Sequence, residues 1–337
     1  MRPKFALLSA TVLVVAGLVP SLLSAQSSGA SAPSKSISVL AGLRVLIAND
    51  DSVQPTRGTG LYELRKALCA AGADVIAVGP WGPQSGVSGR ITTSGPVTVQ
   101  AVAPPAAYEH DCNDAPSGGG VFGACASAGP CEASTPSASP ADAVGLAITR
   151  FLPDNYWPEG PSVVVSGINP GQNTGLGAAH SGTVGATIMA HDFDVPAIAF
   201  SEQVIMDCVT SGTDCPAFAD TAEFATRLLA ALRNEGALEP GLLLNVNYPN
   251  VRSDEEVSGP VLNFLGRYRW YPEFAGPVGA DGGTYTLTTV DSPGSTEPGA
   301  DQTANENNQI SVVPMSGNWS FAPVVTPQLR RAIRSLR

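Results

Sequence analysis

Charge is scarce in this chain: Asp, Glu, Lys and Arg make up only 14% of its 337 residues. With 43% hydrophobic residues beside so little charge, it is not a disordered polyelectrolyte and must collapse around a core. Basic residues are the scarcer kind, 18 against 29 acidic, for a net charge of −11. A protein that tracks a nucleic-acid backbone needs a basic footprint, so no nucleic-acid polymer is expected as a partner. Histidine occurs three times and no Cys-x-x-Cys pair exists, which leaves no zinc framework. Only one apolar run approaches spanning length, and it lies at the very start.

That start has the layout of a secretory signal. Met1-Arg2-Pro3-Lys4 is basic, Phe5 to Leu23 is apolar, and Ala25 precedes a candidate cut at Gln26. Residues 1–25 are read as a signal peptide, 26–41 as a flexible leader, and 42–337 as a single domain. A retained anchor is the competing reading. Cleavage leaves no stable membrane insertion and a secreted or periplasmic protein. Six cysteines fit such a destination. Cys208 and Cys215 flank a short Ser-Gly-Thr-Asp stretch and are expected to pair. One pair is expected among Cys112, Cys125 and Cys131, with Cys69 a buried free thiol in a helical pattern.

From residue 42 onward, bare hydrophobic runs alternate with helical patterns. Strands are read at 45–48, 74–78, 162–165, 196–200 and 242–246; helices at 60–71, 183–190 and 220–234. Such alternation predicts an α/β fold, a three-layer Rossmann-like sandwich around a mainly parallel sheet. Residues 103–139 are read as a disulfide-tied surface insertion. Residues 259–300, with Tyr268, Trp270, Tyr271 and Tyr285, are read as a C-terminal β-hairpin extension.

The first strand ends on Asn49-Asp50-Asp51-Ser52. In parallel sheets ligands bind beyond the carboxyl ends of the strands, and two adjacent acids there suit a hard divalent cation. A helix cap followed by a first-turn acid is the plainer alternative. Four other segments stand at strand ends or helix starts: the loop holding Ser85-Gly86, Ser166-Gly167-Ile168-Asn169 with Asn173, His180-Ser181-Gly182-Thr183, and Asn245-Val246-Asn247. Taken singly, Ser85 reads as a turn residue, Asn169 as an Asx-turn former and Ser181 as a helix cap.

In this order and spacing the segments resemble the SurE family of survival proteins, from about Arg44 to Met315. Pro140-Ala141-Asp142, Asp301, Ala304 and Ser311-Val312-Val313-Pro314 extend the match. The resemblance implies a metal-dependent nucleoside-monophosphate phosphatase. It implies that Asp50, Asp51, Ser85 and Asn169 hold one divalent ion, magnesium or manganese. Ser181, Gly182 and Thr183, at a helix N-terminus, would meet a small phosphorylated substrate. Asn49 and Asn173 would position the phosphate or a water, with a loop-shaping hydrogen bonder the alternative reading of either; the catalytic set is Asp50, Asn49, Asn173 and Ser181. It further implies a homodimer or larger homo-oligomer through the hairpin. Polyphosphate or broader phosphomonoesters are additional substrate expectations.

Three positions depart from the family pattern. Ser52 stands where Gly is usual, Gly89 where Asn is common, and His180 where an aromatic precedes Ser-Gly-Thr. His180 is read either as a packing residue or as a general acid for the leaving oxygen. A haloacid-dehalogenase-type site would need Asp-x-Asp at the strand end, where here the acids are adjacent with Ser52 third. A dinucleotide site would need a third glycine at the required spacing after Gly58-Thr59-Gly60, which is missing. A non-catalytic nucleotide- or phosphate-binding protein on the same scaffold is the alternative function.

Overall fold

Strand residues in this chain feed two separate cores. Along β1 (Arg44–Ala48), Val45 and Ile47 pack into one apolar cluster, and Leu46 and Ala48 into another. The same alternation recurs along β2 (Asp74–Pro80), with Val75 and Ala77 opposite Ile76 and Val78. A sheet covered on both faces has no solvent side, which is why these strands carry no polar alternation. The computed structural model describes residues 38–54, 59–204, 218–251, 255–267, 270–276, 282–291, 297–317 and 325–337.

Between β1 and β2 runs α1 (Thr59–Ala70). After β2 come β3 (Thr98–Ala101) and β4 (Val121–Cys125). Then α2 (Pro140–Leu146) continues through a π-helical stretch, Ala147–Phe151, into α3 (Leu152–Asn155). The second half holds β5 (Val163–Pro170), α4 (Gly182–Asp192), β6 (Ala197–Glu202), α5 (Ala219–Asn234) and β7 (Leu243–Tyr248). It closes with β8 (Ser258–Leu262), β9 (Trp270–Ala275), β10 (Thr286–Asp291), α6 (Asp301–Glu306), β11 (Gln309–Pro314) and α7 (Pro327–Arg334).

Nine strands form one sheet in the order β3-β4-β2-β1-β5-β6-β7-β11-β8. From β4 to β7 every neighbour is parallel, while β3 runs antiparallel to β4 and β11 antiparallel to β7, with β8 parallel to β11. Helices α1, α5 and α7 cover one face, α2 and α4 the other. β1 leads outward to β2 on one side, and β5 returns on its other side. The crevice beyond β1 and β5 is therefore the topological switch point. The two-stranded antiparallel sheet of β9 and β10 stands apart as the C-terminal hairpin.

Several expectations are corrected here. Residues 103–139 are not wholly a surface insertion, because β4 is a largely buried strand paired with β2. Its short Val-Phe-Gly-Ala-Cys run, preceded by three glycines, carries too little periodicity to announce a strand. The end of the leader is not free either: Leu40 is fully buried and its N–H bonds Ala71 O at 3.0 Å. Residue 258 onward first adds β8 to the main sheet, so the hairpin proper is β9–β10.

Cys69 is not a free thiol. It is bonded to Cys112, and Cys125 to Cys131. The first bond staples α1 to the segment before β4, beside the buried Arg65, which donates to Gly119 O and Tyr108 O. Cys208, Cys215 and residues 1–37, which include the expected signal peptide and most of the expected leader, lie outside the described residues. Closing a loop across a sequence separation of 43 restricts the unfolded chain by up to about 4 kcal/mol. Replacing Cys69 and Cys112 together by Ser should lower the denaturant unfolding free energy by about 2–4 kcal/mol. An unchanged unfolding midpoint would remove the staple from this account.

Candidate active site

At the switch point β1 stops at Ala48 and the chain turns sharply through Asn49 to Ser52. Ser52 takes a φ of 103°, a conformation that favours glycine. Its hydroxyl offsets the strain by donating to Trp81 O at 2.8 Å and accepting from Gln54 N at 3.0 Å. The loop after β2 docks on this turn through Gln84 N to Asp50 O at 2.7 Å. From the other side, Ser88 bonds the stretch before α4: its N–H meets His180 O at 3.1 Å and its hydroxyl Ala179 O at 2.7 Å.

Strand β5 supplies the opposite wall. Its pairing with β6 shifts between Ser166 and Asn169. Gly167 sits there at a φ of 131°, so close to Phe200 O that no side chain fits. Beyond this irregularity Asn169 donates its amide nitrogen to Gly171 O at 2.7 Å, leaving its carbonyl oxygen as the available donor atom. These segments enclose a cleft of about 210 Å³ lined by Asp50, Asp51, Ser85, Asn169, Asn173, His180 and Ser181, among others.

The two acids are the electrostatic centre. Asp50 is 3% exposed, and burial raises its carboxyl above the ordinary range. The Thr183 hydroxyl, donating at 2.6 Å, and the amides of Thr183 and Gly182 pull the other way. Asp51 is pushed up to about 7, by burial first and by the charge of Asp50 second. Among the described residues no Lys or Arg pairs with either. Nor does any cluster of three or more His, Cys, Asp and Glu occur. The donors that do converge are two carboxylates, a hydroxyl and an amide carbonyl. An all-oxygen set of this kind suits magnesium or manganese and not a softer metal.

Asp50, Asp51, Ser85, Asn169, Asn173 and Ser181 are thus brought together. Three other sequence candidates lie behind the cleft. Asn49, expected to touch phosphate or water, is 1% exposed and donates to Ser52 O at 2.9 Å, shaping the turn instead. Thr183 is fully buried and spends its hydroxyl on Asp50. Gly182 presses on Asp50, where an added Cβ would come within 2.8 Å of the Asp50 Cβ. Ser181 caps α4, accepting from Val184 N at 3.2 Å, and still lines the cleft. His180 is exposed at the rim, so packing does not account for it. Gly89 faces open space, and an added side chain there would meet nothing closer than 4.0 Å.

Asn173 is held by a buried layer that sequence reasoning only half registered. Asn247 Oδ1 accepts its N–H at 2.7 Å, Asn245 donates to its carbonyl at 2.7 Å, and its own amide donates to Ser201 at 2.9 Å. Two asparagines in register on one face of a buried strand were the available signal. Ser201 carried none. A larger cavity of about 400 Å³ opens at the opposite end of the sheet, beside His191, Glu239 and Gln328. It gathers one acid among the described residues, so the chemistry points to the smaller cleft.

A mainly parallel α/β sandwich whose switch point holds paired acids and a helix N-terminus defines a phosphate-site architecture of the Rossmann-like class. Within that class the chain belongs to the survival protein SurE family, whose model matches residues 45–271. It is 31% identical to 5'-nucleotidase SurE 1 of Thermus thermophilus, over 81% of this chain and 92% of that protein. It is 33% identical to 5'-nucleotidase SurE of Rubrobacter xylanophilus, over 81% and 91%. Among solved structures, the SurE protein from Aquifex aeolicus superposes with a TM-score of 0.58 at 25% identity, covering 82% of this chain and 94% of that one.

Gly182→Ala tests how tightly the cleft is built. The added methyl would meet Asp50 and, at 2.9 Å, Gln84 O, neither of which can yield easily. Destabilisation of about 1–3 kcal/mol is expected in thermal or denaturant unfolding. Wild-type stability would show that the acid and its loop are free to move.

Proposed function

We propose that this protein is a divalent-cation-dependent phosphoric monoester hydrolase acting on nucleoside monophosphates, with short polyphosphates and simpler phosphomonoesters as further candidate substrates. The observation that carries this reading is the convergence of Asp50, Asp51, Ser85 and Asn169 in one cleft beside the N-terminus of α4. The named activity of the 5'-nucleotidase relatives supports it.

These four residues would hold magnesium or manganese, which when bound supplies positive charge against the phosphoryl oxygens and lowers the pKa of a water. The protein's own groups do the positioning. The positive end of α4, whose Gly182 and Thr183 amides meet Asp50, adds a field that favours an anion, and Ser181 adds a hydroxyl at the cleft wall. Asn173, fixed through its backbone and amide, holds one side of the substrate. Thr183 keeps Asp50 oriented as an acceptor toward the cleft. His180, exposed at the rim, is the one histidine able to hand a proton to the leaving oxygen. Phosphoryl transfer needs little covalent help from protein, so orientation and electrostatics supply most of the acceleration.

Hydrolysis of p-nitrophenyl phosphate with manganese, with and without EDTA, tests this. Turnover should vanish with EDTA, and Asp50→Asn should lose roughly a hundredfold or more. Tight binding of a nucleoside monophosphate without any turnover would favour the non-catalytic binding protein instead.

Export and self-association belong to the same reading. The basic-apolar start and the cysteine pairs support a secreted or periplasmic location. Exposed Phe274, Tyr285 and Leu287 on and beside the hairpin support a contact with a second copy; Trp270 and Tyr271 lie on β9, and Tyr268 is outside the described residues. Native mass spectrometry of protein recovered from the host should give a dimer of chains beginning at Gln26. A full-length monomer would contradict both proposals.

A further inference from the structure

One buried carboxylate away from the cleft touches the cleft's own wall. Asp301, the first residue of α6, is fully buried. Its Oδ2 accepts the N–H of Gly175 at 2.7 Å, and its Oδ1 accepts Gly266 N at 3.0 Å and Gln302 N at 2.9 Å. Gly175 opens the 3-10 segment Gly175–His180, which carries Gly177 and His180 into the cleft and leads to Ser181. Gly266 lies in the segment leading to β9. The neighbouring side chain repeats the grip: Gln302 Oε1 accepts the buried Thr174 hydroxyl. Asn305 adds a donor to Asn247 O at 3.1 Å, on the strand that fixes Asn173.

The rest of this region is zipped onto the same turn. Phe264 N bonds Gly299 O at 3.2 Å, and Asp301 N bonds Phe264 O at 3.0 Å. An added Cβ at Gly266 would fall 2.8 Å from that of Ala300, so the approach requires glycine. Asp301, Gln302 and Gly266 do not themselves line the cleft. The three amide donors to Asp301 come from the cleft loop, the base of the hairpin and the first turn of α6.

We propose that Asp301, assisted by Gln302, is a positioning residue that sets the Thr174–Ser181 wall of the cleft and locks it to the base of the β9–β10 hairpin. The proposal rests on the hydrolase reading for its kinetic consequences, and on hydrogen bonding alone for its structural ones. An oxygen pair accepting three N–H groups has no neutral substitute of the same shape. In Asp301→Asn, the arrangement losing fewest bonds turns the amide nitrogen toward Gly175, donor against donor. The loop is then released while the rest of the fold remains.

Two readouts on Asp301→Asn and Thr174→Val decide the matter. The Thr174→Val change removes the second grip with little change of volume and keeps the test valid if Asp301→Asn fails to fold. Hydrogen exchange, measured without cation or substrate, should quicken by tenfold or more across Gly175–Ser181 while α1 and α5 keep their protection. Steady-state kinetics on p-nitrophenyl phosphate, run well below the melting temperature, should show kcat/KM falling roughly ten- to a hundredfold. KM should carry part of that loss, with calorimetric manganese affinity held within about twofold. Unchanged loop exchange, or wild-type kcat and KM in folded protein that merely melts earlier, would overturn the proposal. If the wild-type protein turns over no phosphomonoester, the hydrolase reading fails, and the exchange comparison still decides whether Asp301 holds the loop.

Discussion

Two carboxylates that cannot both be comfortable set the terms for this molecule. Asp50 and Asp51 are adjacent in sequence and sheltered at the end of a parallel strand; burial raises both carboxyls, and the charge of Asp50 raises Asp51 further. Like charges in a low-dielectric cleft are tolerated only where something compensates. Here the nearest compensation is a hydroxyl and two amides on Asp50, with none of these on Asp51. In the proposed reading a hard cation between them would resolve the conflict, with the other oxygen donors of the cleft as its coordination set. The strain is local and functional, and it rests on a scaffold with two well-filled cores.

That scaffold explains how remote segments meet. The switch between β1 and β5 brings the two strand ends side by side. The loop after β2 is pinned between the Asp50 turn and the entry to α4. Glycines at 167, 182 and 185 sit where any side chain would strike backbone or Asp50, and Gly182 and Gly185 bring α4 onto the acid and onto Ser88. Behind the wall, Asn245, Asn247 and Asp301 bond the Asn173–Gly175 backbone, and Ser201 accepts from the Asn173 side-chain amide. The cleft is therefore held from several sides by backbone hydrogen bonds, with few long side chains involved.

Much of this was legible in the residues. Bare aliphatic runs such as Val163-Val164-Val165 announced strands buried on both faces, and Gly72 and Gly79-Pro80 marked their boundaries. The convergence of Asp50, Ser85, Asn169 and Ser181 is what the family resemblance implies, and the cleft brings the four together. What stayed hidden depends on tertiary neighbours. Thr183 reads as a substrate contact, yet it turns inward to Asp50, a partner that no spacing reveals, while Asn49 takes the loop-shaping alternative to a phosphate contact. Cys69 looked like a core thiol because its partner sits in a segment without periodicity. β4 was hidden for the same reason. The departure at Ser52 has a physical account: its hydroxyl bonds make a glycine-like conformation bearable for a residue with a side chain.

The central claim is that distant oxygen donors share one cation at the mouth of the sheet. Anomalous scattering at the manganese edge, from a crystal grown with that metal, tests it most directly. A single strong peak within coordination distance of Asp50, Asp51, Ser85 and Asn169 is the expected result. No peak there, with the four side chains ordered and apart, would contradict the assignment.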